Sequence, residues 1–455
     1  MKQVLISYFL LFSWIHIQGQ TILRGNIKGA ENCHIRFTYL EDYISGKRAV
    51  LFDTLIDDMG DFHIKSSINR NLNGTLELPY YSNSLYLEAG KDFPLSFDSV
   101  TIHNIIRPFY QKNILQFQIT GKDKYLQNEL EKLNATYDKY IAIHFSRIFQ
   151  QHQGRLIDSL DHKLHNTITN SSNIILNQWI AYKIADLKLK LSFTPKKKKD
   201  IFYHYINEQD ILYQSEEYMS FVSSFFKDYL IKNKNIPTSD LYYCINYLKN
   251  NNSLQDSLGK DPILQNEKIR ELATLINLKS LYYNKDFSKE AILKILEQLN
   301  RKSKFVEHQI IAHNLIFQLP QLESGTKAPR IVLPSIDFEQ DSLRLDNIDS
   351  LFTIIIFFNS HNANCIKQMN ILDSLYIRKK KKYNFIGISL DEKLQTVQEL
   401  QTLKQFHFPI YWNGWDWKLI DKYHLSTFPI FLSIDPARKI IRYPEYGVDE
   451  IEFDE

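Results

Sequence analysis

Cys365 is the residue that type and spacing place best for chemistry in this chain of 455 residues. It follows an apolar run at 352–358 and stands a turn into the helix predicted after it. A thiol near a helix start becomes a nucleophile when the dipole and the free N–H groups stabilise its thiolate. Burial works against this, because it raises the thiol pKa and leaves an inert cysteine, so a purely structural Cys365 is the competing reading. His361, Cys365 and Met369 recur every four residues and are soft or borderline donors, the kind of set that could hold copper. His361 precedes the predicted helix, however, which breaks the geometry, and no metal is expected. Cys33 and Cys244 are too few and too scattered to build a disulfide scaffold or a four-thiolate zinc site with Cys365. The chain has no glycine-rich phosphate loop, no His-Glu-x-x-His and no Gly-x-Ser-x-Gly, so no cofactor is expected.

The elements that must position Cys365 alternate. Residues 352–358 read as a buried strand, 363–378 as a helix, 383–390 as a strand and 392–405 as a helix, with further strands at 409–412, 430–434 and 440–443. Such alternation predicts a sheet covered by helices. Trp412, Trp415 and Trp417 cluster around Gly414, where they either line a ligand groove or pack a loop.

Upstream the pattern differs. Residues 105–321 have few glycines and carry apolar side chains at helical spacing, as in Leu126, Leu130, Leu133, Tyr137 and Ile141. Asp261-Pro262 and Ser288 have the form of helix starts. Residues 21–104 instead read as short strands at 22–27, 34–40, 50–56, 62–64, 75–78 and 85–87, separated by turns at Gly29, Gly60, Asn73-Gly74 and Gly90, the spacing of a small antiparallel sandwich. Lysine runs at 196–199 and 379–382 read as solvated loops or helix ends, with attraction to an acidic surface as the alternative.

Composition limits the function classes. A hydrophobic content of 44% can fill more than one core, and 55 basic against 52 acidic residues leave a net charge of +3, too small for a broad phosphate-neutralising face. No nucleic acid is expected as a partner. Met1-Lys2-Gln3, an apolar run at 4–17 and Gln18-Gly19-Gln20 have the plan of a secretory signal peptide over 1–20 with cleavage expected near Gly19 or Gln20; an uncleaved anchor is the alternative, because Trp14 and the residues around Ile17 and Gly19 make a weak cleavage box. No later segment is apolar enough to span a bilayer, which places the mature chain in the periplasm or cell envelope with no stable membrane span.

The carboxy-terminal stretch resembles the thioredoxin-like domain of exported thiol-disulfide reductases of the TlpA and ResA type. The resemblance rests, in order, on Gly325-Thr326-Lys327-Ala328-Pro329, on the strand leading to Asn359-Ser360, on Phe385-Ile386-Gly387-Ile388-Ser389-Leu390-Asp391, and on Thr427-Phe428-Pro429 with the strand after it. Residues 21–104 also resemble the small β domain that precedes such domains in Bacteroidetes-type bacteria, through Arg24-Gly25-Asn26-Ile27, the stretch 57–64 and Tyr86-Leu87-Glu88-Ala89-Gly90-Lys91-Asp92. The implied architecture is multidomain α+β: a β sandwich at 21–104, a helical region at 105–321 and a thioredoxin-like α/β domain at 322–455.

The family's active site is Trp-Cys-x-x-Cys, whereas this chain reads His361-Asn362-Ala363-Asn364-Cys365. The resemblance places His361 at the tryptophan, Asn362 at the nucleophilic cysteine and Cys365 at the resolving cysteine. Disulfide exchange needs one thiolate to attack and another to resolve, and Asn362 has no thiol. Ile356 occupies the strand position of the buried acid found in many thioredoxins. A peroxidatic role for Cys365 would require a proline and a threonine before it, and residues 359–364 supply neither. The resemblance also makes Pro429 a cis-proline and Phe428 the residue that presents its backbone to an extended peptide. The expectation is a degenerate thioredoxin-fold protein that binds a protein or peptide client in the cell envelope through His361, Asn362, Phe428 and Pro429. The alternative is residual monothiol disulfide chemistry at Cys365.

Overall fold

A computed structural model describes residues 20–100, 113–121, 125–169, 172–207, 209–337, 342–348, 351–391, 393–413, 417–425 and 427–453. The expected signal segment lies outside them up to residue 19, as do Gly414 and Trp415 of the tryptophan cluster. Among the described residues, no helix is long and apolar enough to cross a membrane.

The described residues form two compact units, the first made of those within 20–39, 49–100 and 113–134, the second of those within 40–48 and 135–453. The short strands near the amino terminus are β1 (Thr21–Asn26), β2 (His34–Leu40), β3 (Arg48–Leu55), β4 (Asp61–Ser66), β5 (Leu72–Leu78), β6 (Tyr81–Leu87), β7 (Asp92–Phe97), β8 (Asn113–Ile114) and β9 (Phe117–Ile119). They make two sheets, of order β4-β1-β7-β9 and β3-β2-β5-β6-β8. In β4, Phe62 and Ile64 are buried and their neighbours Asp61, His63 and Lys65 exposed, the alternation of a strand with one wet face. The sheets are mixed rather than antiparallel as expected, because β1 runs parallel to β7 and β6 parallel to β8.

Asn73-Gly74, expected as a turn, lies inside β5. A Cβ at Gly74 would stand 2.4 Å from both the Phe37 ring and the Thr38 carbonyl, so the glycine serves a close approach rather than a reversal of the chain. Gly29, Gly60 and Gly90 do have the positive φ of tight turns.

The second unit carries the helices: α1 (Leu126–Phe145, begun in the first unit), α2 (Arg155–His165), α3 (Ile174–Lys190), α4 (Pro195–Phe202), α5 (Glu216–Phe225), α6 (Tyr229–Lys232), α7 (Thr238–Tyr242), α8 (Asn251–Leu258), α9 (Glu267–Leu281), α10 (Lys289–Lys302) and α11 (Val306–Gln318). Ser288 caps α10 by accepting from the Ala291 N–H, and Ala291, Ile292, Ile295, Leu296 and Leu299 form its buried stripe. Asp261 caps a short 3₁₀ turn instead of a full helix. The helical core also holds a buried polar chain in which Ser303 donates to Glu271, Glu271 meets His308 Nδ1 at 2.8 Å, and His308 Nε2 meets the Tyr213 hydroxyl at 2.7 Å. These groups satisfy one another, as burial demands.

Leu40–Arg48 belongs to this second unit although it joins β2 to β3. Ile44 is part of the helical core. The Lys279 ammonium donates to the carbonyls of Ile44 at 2.7 Å and Ser45 at 3.1 Å, and Asn314 Nδ2 donates to Asp42 at 2.8 Å.

The remaining strands are the hairpin β10 (Val332–Leu333) and β11 (Leu343–Arg344), then β12 (Phe352–Phe358), β13 (Tyr383–Ser389), β14 (Ile410–Trp412), β15 (Ile430–Ile434) and β16 (Ile440–Glu445). With them run α12 (Ala363–Lys379), α13 (Leu394–Lys404) and α14 (Trp417–Lys422). The last five strands form one sheet in the order β14-β13-β12-β15-β16. β12, β13 and β14 are parallel, while β15 and β16 are antiparallel to their neighbours. Ile354, Ile355, Ile356, Phe357 and Phe358 are all buried, which accounts for the unbroken apolar run in the sequence. Within the second unit, contacts link the residues on either side of 321/322: Gln321 Nε2 donates to the Lys422 carbonyl, and the Lys289 ammonium pairs with Glu323.

Candidate functional site

The site is built where β12 ends. The chain leaves the sheet at Phe358, turns through Asn359, Ser360 and His361, and enters α12 at Ala363. This turn is held from the end of the neighbouring parallel strand. Asp391, two residues beyond β13 and 2% exposed, accepts from the Ser360 N–H at 3.0 Å, from the Ser360 hydroxyl at 2.6 Å and from the Ser389 hydroxyl at 2.6 Å. A buried carboxylate is stable only with donors of this kind around it. Asn359 completes the turn, its side-chain oxygen accepting from the His361 N–H at 3.0 Å.

Asn362 is the N-cap of α12. Its Oδ1 accepts from the N–H groups of Asn364 at 2.9 Å and Cys365 at 3.2 Å, while its Nδ2 donates to the Phe428 carbonyl at 3.2 Å. Both ends of the amide are thus in use, and the helix N–H groups that would stabilise a thiolate are taken by a neutral acceptor. The residue on the other side of this bridge precedes Pro429, and the Phe428–Pro429 peptide bond is cis. Phe428 and Pro429 are both buried.

Cys365 lies on the inner face of α12 with Met369 and Leu372, and it is fully buried with a free thiol. Burial above all, opposed by the Asn359 and Cys365 backbone hydrogen bonds and aided by the Asp391 carboxylate, brings its pKa from 9.0 up to about 12. A thiol with that pKa is almost wholly protonated at neutral pH, so it is a poor nucleophile. His361 is exposed while Cys365 and Met369 are fully buried, so the three soft donors do not share one environment. Among the described residues, no group of three or more His, Cys, Asp or Glu side chains could hold a metal ion.

Native protein is therefore expected to resist alkylation at Cys365 until it is denatured, as read by mass spectrometry of labelled peptides. The pH dependence has a definite sign. A thiol pKa raised by folding favours the protonated form, so its contribution to stability is complete below about 9 and fades as pH rises through about 12. Rapid labelling of native protein at neutral pH would contradict this account.

The structure brings Asn362, Cys365, Phe428 and Pro429 to one end of the sheet and leaves His361 in solvent beside them. The sequence reading did not assign a role to Asp391 or Ser360, although the signal was present in the Ser389-Leu390-Asp391 stretch that ends β13. Trp412 is tied in as well, its indole N–H donating to the Asp391 carbonyl at 2.7 Å, which favours packing over a groove lining for that ring.

No protein-family model matches the chain, and no curated protein matches it. Among solved structures it is similar to the thioredoxin domain of a thiol-disulfide oxidoreductase from Bacteroides vulgatus, with 20% identity over 28% of this chain and 92% of that one and a TM-score of 0.26. It is also similar to a thiol-disulfide oxidoreductase from Bacteroides fragilis, at 19% identity over 26% and 88% with a TM-score of 0.24. StoA from Bacillus subtilis is similar at 19% identity over 27% and 90%, again with a TM-score of 0.24.

Proposed function

We propose that residues 322–455 are a thioredoxin-like domain of the thiol-disulfide oxidoreductase type whose dithiol chemistry has been lost, and that the chain acts as a protein- or peptide-binding or assembly module of the cell envelope. One observation carries this reading: where disulfide exchange needs an attacking thiolate, Asn362 uses its whole amide to cap α12 and bridge to the Phe428 carbonyl. The burial of Cys365 supports the same conclusion and speaks against a monothiol route. In this reading a signal peptide over 1–20 exports the chain, the β sandwich at 21–104 and the helices at 105–321 are scaffold, and a client strand pairs with the backbone near Phe428 and Pro429.

The test is turnover of a protein disulfide by the mature chain, run beside Cys365→Ser and Asn362→Cys. The parent and Cys365→Ser are expected to be silent. Asn362→Cys is expected to gain turnover, because a thiol there sits at the helix start and faces Cys365 across one turn. Parent activity that disappears in Cys365→Ser would establish an oxidoreductase and overturn the proposal.

A further inference from the structure

The lysine run at 196–199 plays no part in the site above. All four side chains are exposed, and they occupy the first turn and a half of α4. Folding does not explain them there. Cations near a helix N-terminus oppose the macrodipole, and a run of four also repels itself. The free N–H groups of that turn are served by Thr194, whose hydroxyl accepts from the Lys197 N–H, and by Pro195 at the first position. Among the described residues, none of the four lysines forms an ion pair with a carboxylate; Lys199 lies 5.7 Å from the Tyr203 ring centroid, and the adjacent Asp200 is exposed.

An apolar feature lies next to the charge. Phe193 is 67% exposed. A residue just before an N-cap commonly packs against an apolar side chain four positions into the helix, but that position is Lys198, so the ring stays uncovered. Its ring neighbour is His152, at 4.7 Å. The turn leading to His152 exposes Phe145, 54% accessible and 5.0 Å from the Phe149 ring, together with Arg147.

Protruding rings beside unpaired cations complement a surface that offers anionic groups over an apolar layer. We propose that this patch docks on an anionic phospholipid membrane, with Lys196, Lys197, Lys198 and Lys199 against the lipid phosphates and Phe193 in the headgroup boundary. An acidic protein would also match the lysines, and vesicles free of protein separate the two partners. A nucleic acid is disfavoured by the near-neutral balance of the whole chain.

The test is flotation of the full chain with vesicles of phosphatidylcholine alone and of phosphatidylcholine with phosphatidylglycerol, at low and high salt. Binding is expected only to the phosphatidylglycerol vesicles, with marked weakening at high salt. Joint replacement Lys196→Glu, Lys197→Glu, Lys198→Glu and Lys199→Glu is expected to lower vesicle affinity by at least about 100-fold. The same changes suit the helix dipole, so thermal stability is expected to hold or rise, and misfolding cannot mimic the loss. Phe193→Ser is expected to weaken binding at both salt concentrations. Equal binding to neutral vesicles, no binding to anionic ones, or affinity that survives the four glutamates would each overturn the proposal.

Discussion

Replacing Asp391 by alanine is expected to destabilise the second unit by about 2–4 kcal/mol, the sum of leaving the half-buried Ser360 N–H and hydroxyl and the buried Ser389 hydroxyl without their charged acceptor. The expected damage is also local. The turn between β12 and α12 is fixed from outside chiefly by this carboxylate, so its loss should free the approach to Cys365. Two measurements follow: a fall in the urea midpoint of unfolding, and faster alkylation of Cys365 in protein that is still folded. The thiol pKa should fall as well, because the Asp391 charge is one of the influences raising it. Asp391→Asn keeps an acceptor oxygen and should lose only about 1–2 kcal/mol. A loss under about 1 kcal/mol in Asp391→Ala would mean that the turn is held by other contacts.

The second large effect concerns a buried ion pair in the first unit. Arg36 on β2 and Glu77 on β5 face each other in register, 3% and 5% exposed, with Arg36 Nη2 2.9 Å from the Glu77 carboxylate. The Thr38 hydroxyl gives Glu77 a second donor at 3.3 Å. Arg36→Met is expected to cost about 3–5 kcal/mol, because it leaves the Glu77 charge buried without its partner. The double change Arg36→Met with Glu77→Leu should recover most of that loss, since it removes the charge as well. Denaturant unfolding of the two variants beside the parent decides the point, and a double variant as unstable as the single one would refute the explanation.

Strand and helix positions around the site were legible because their periods are unambiguous. In β12 the buried stretch from Ile354 to Phe358 appears as an unbroken apolar run, and the residues after it carry N-cap chemistry in Asn362. Asn73-Gly74 misled because the same dipeptide signals a turn or a close approach, and only the Phe37 ring packed over it distinguishes the two. The parallel pairing of β1 with β7 could not be read from alternation, which specifies a buried face and not a neighbour or a direction. In the site, type and spacing exposed the missing thiol at 362. They did not reveal that the asparagine's two polar ends are both engaged, or that the Ser360 loop depends on Asp391 from the next strand. Those are contacts between distant residues, and periodicity carries no trace of them.

The segment Leu40–Arg48 also has a consequence for the order in which the molecule matures. Its Asp42 waits for a partner 272 positions later, Asn314, and its Ile44 and Ser45 carbonyls for Lys279. A chain made from its amino terminus presents this loop long before those helices exist, and closing so long a loop carries an entropic penalty that nearby contacts avoid. The β2–β3 connection therefore reaches its final state only once most of the polypeptide has been synthesised.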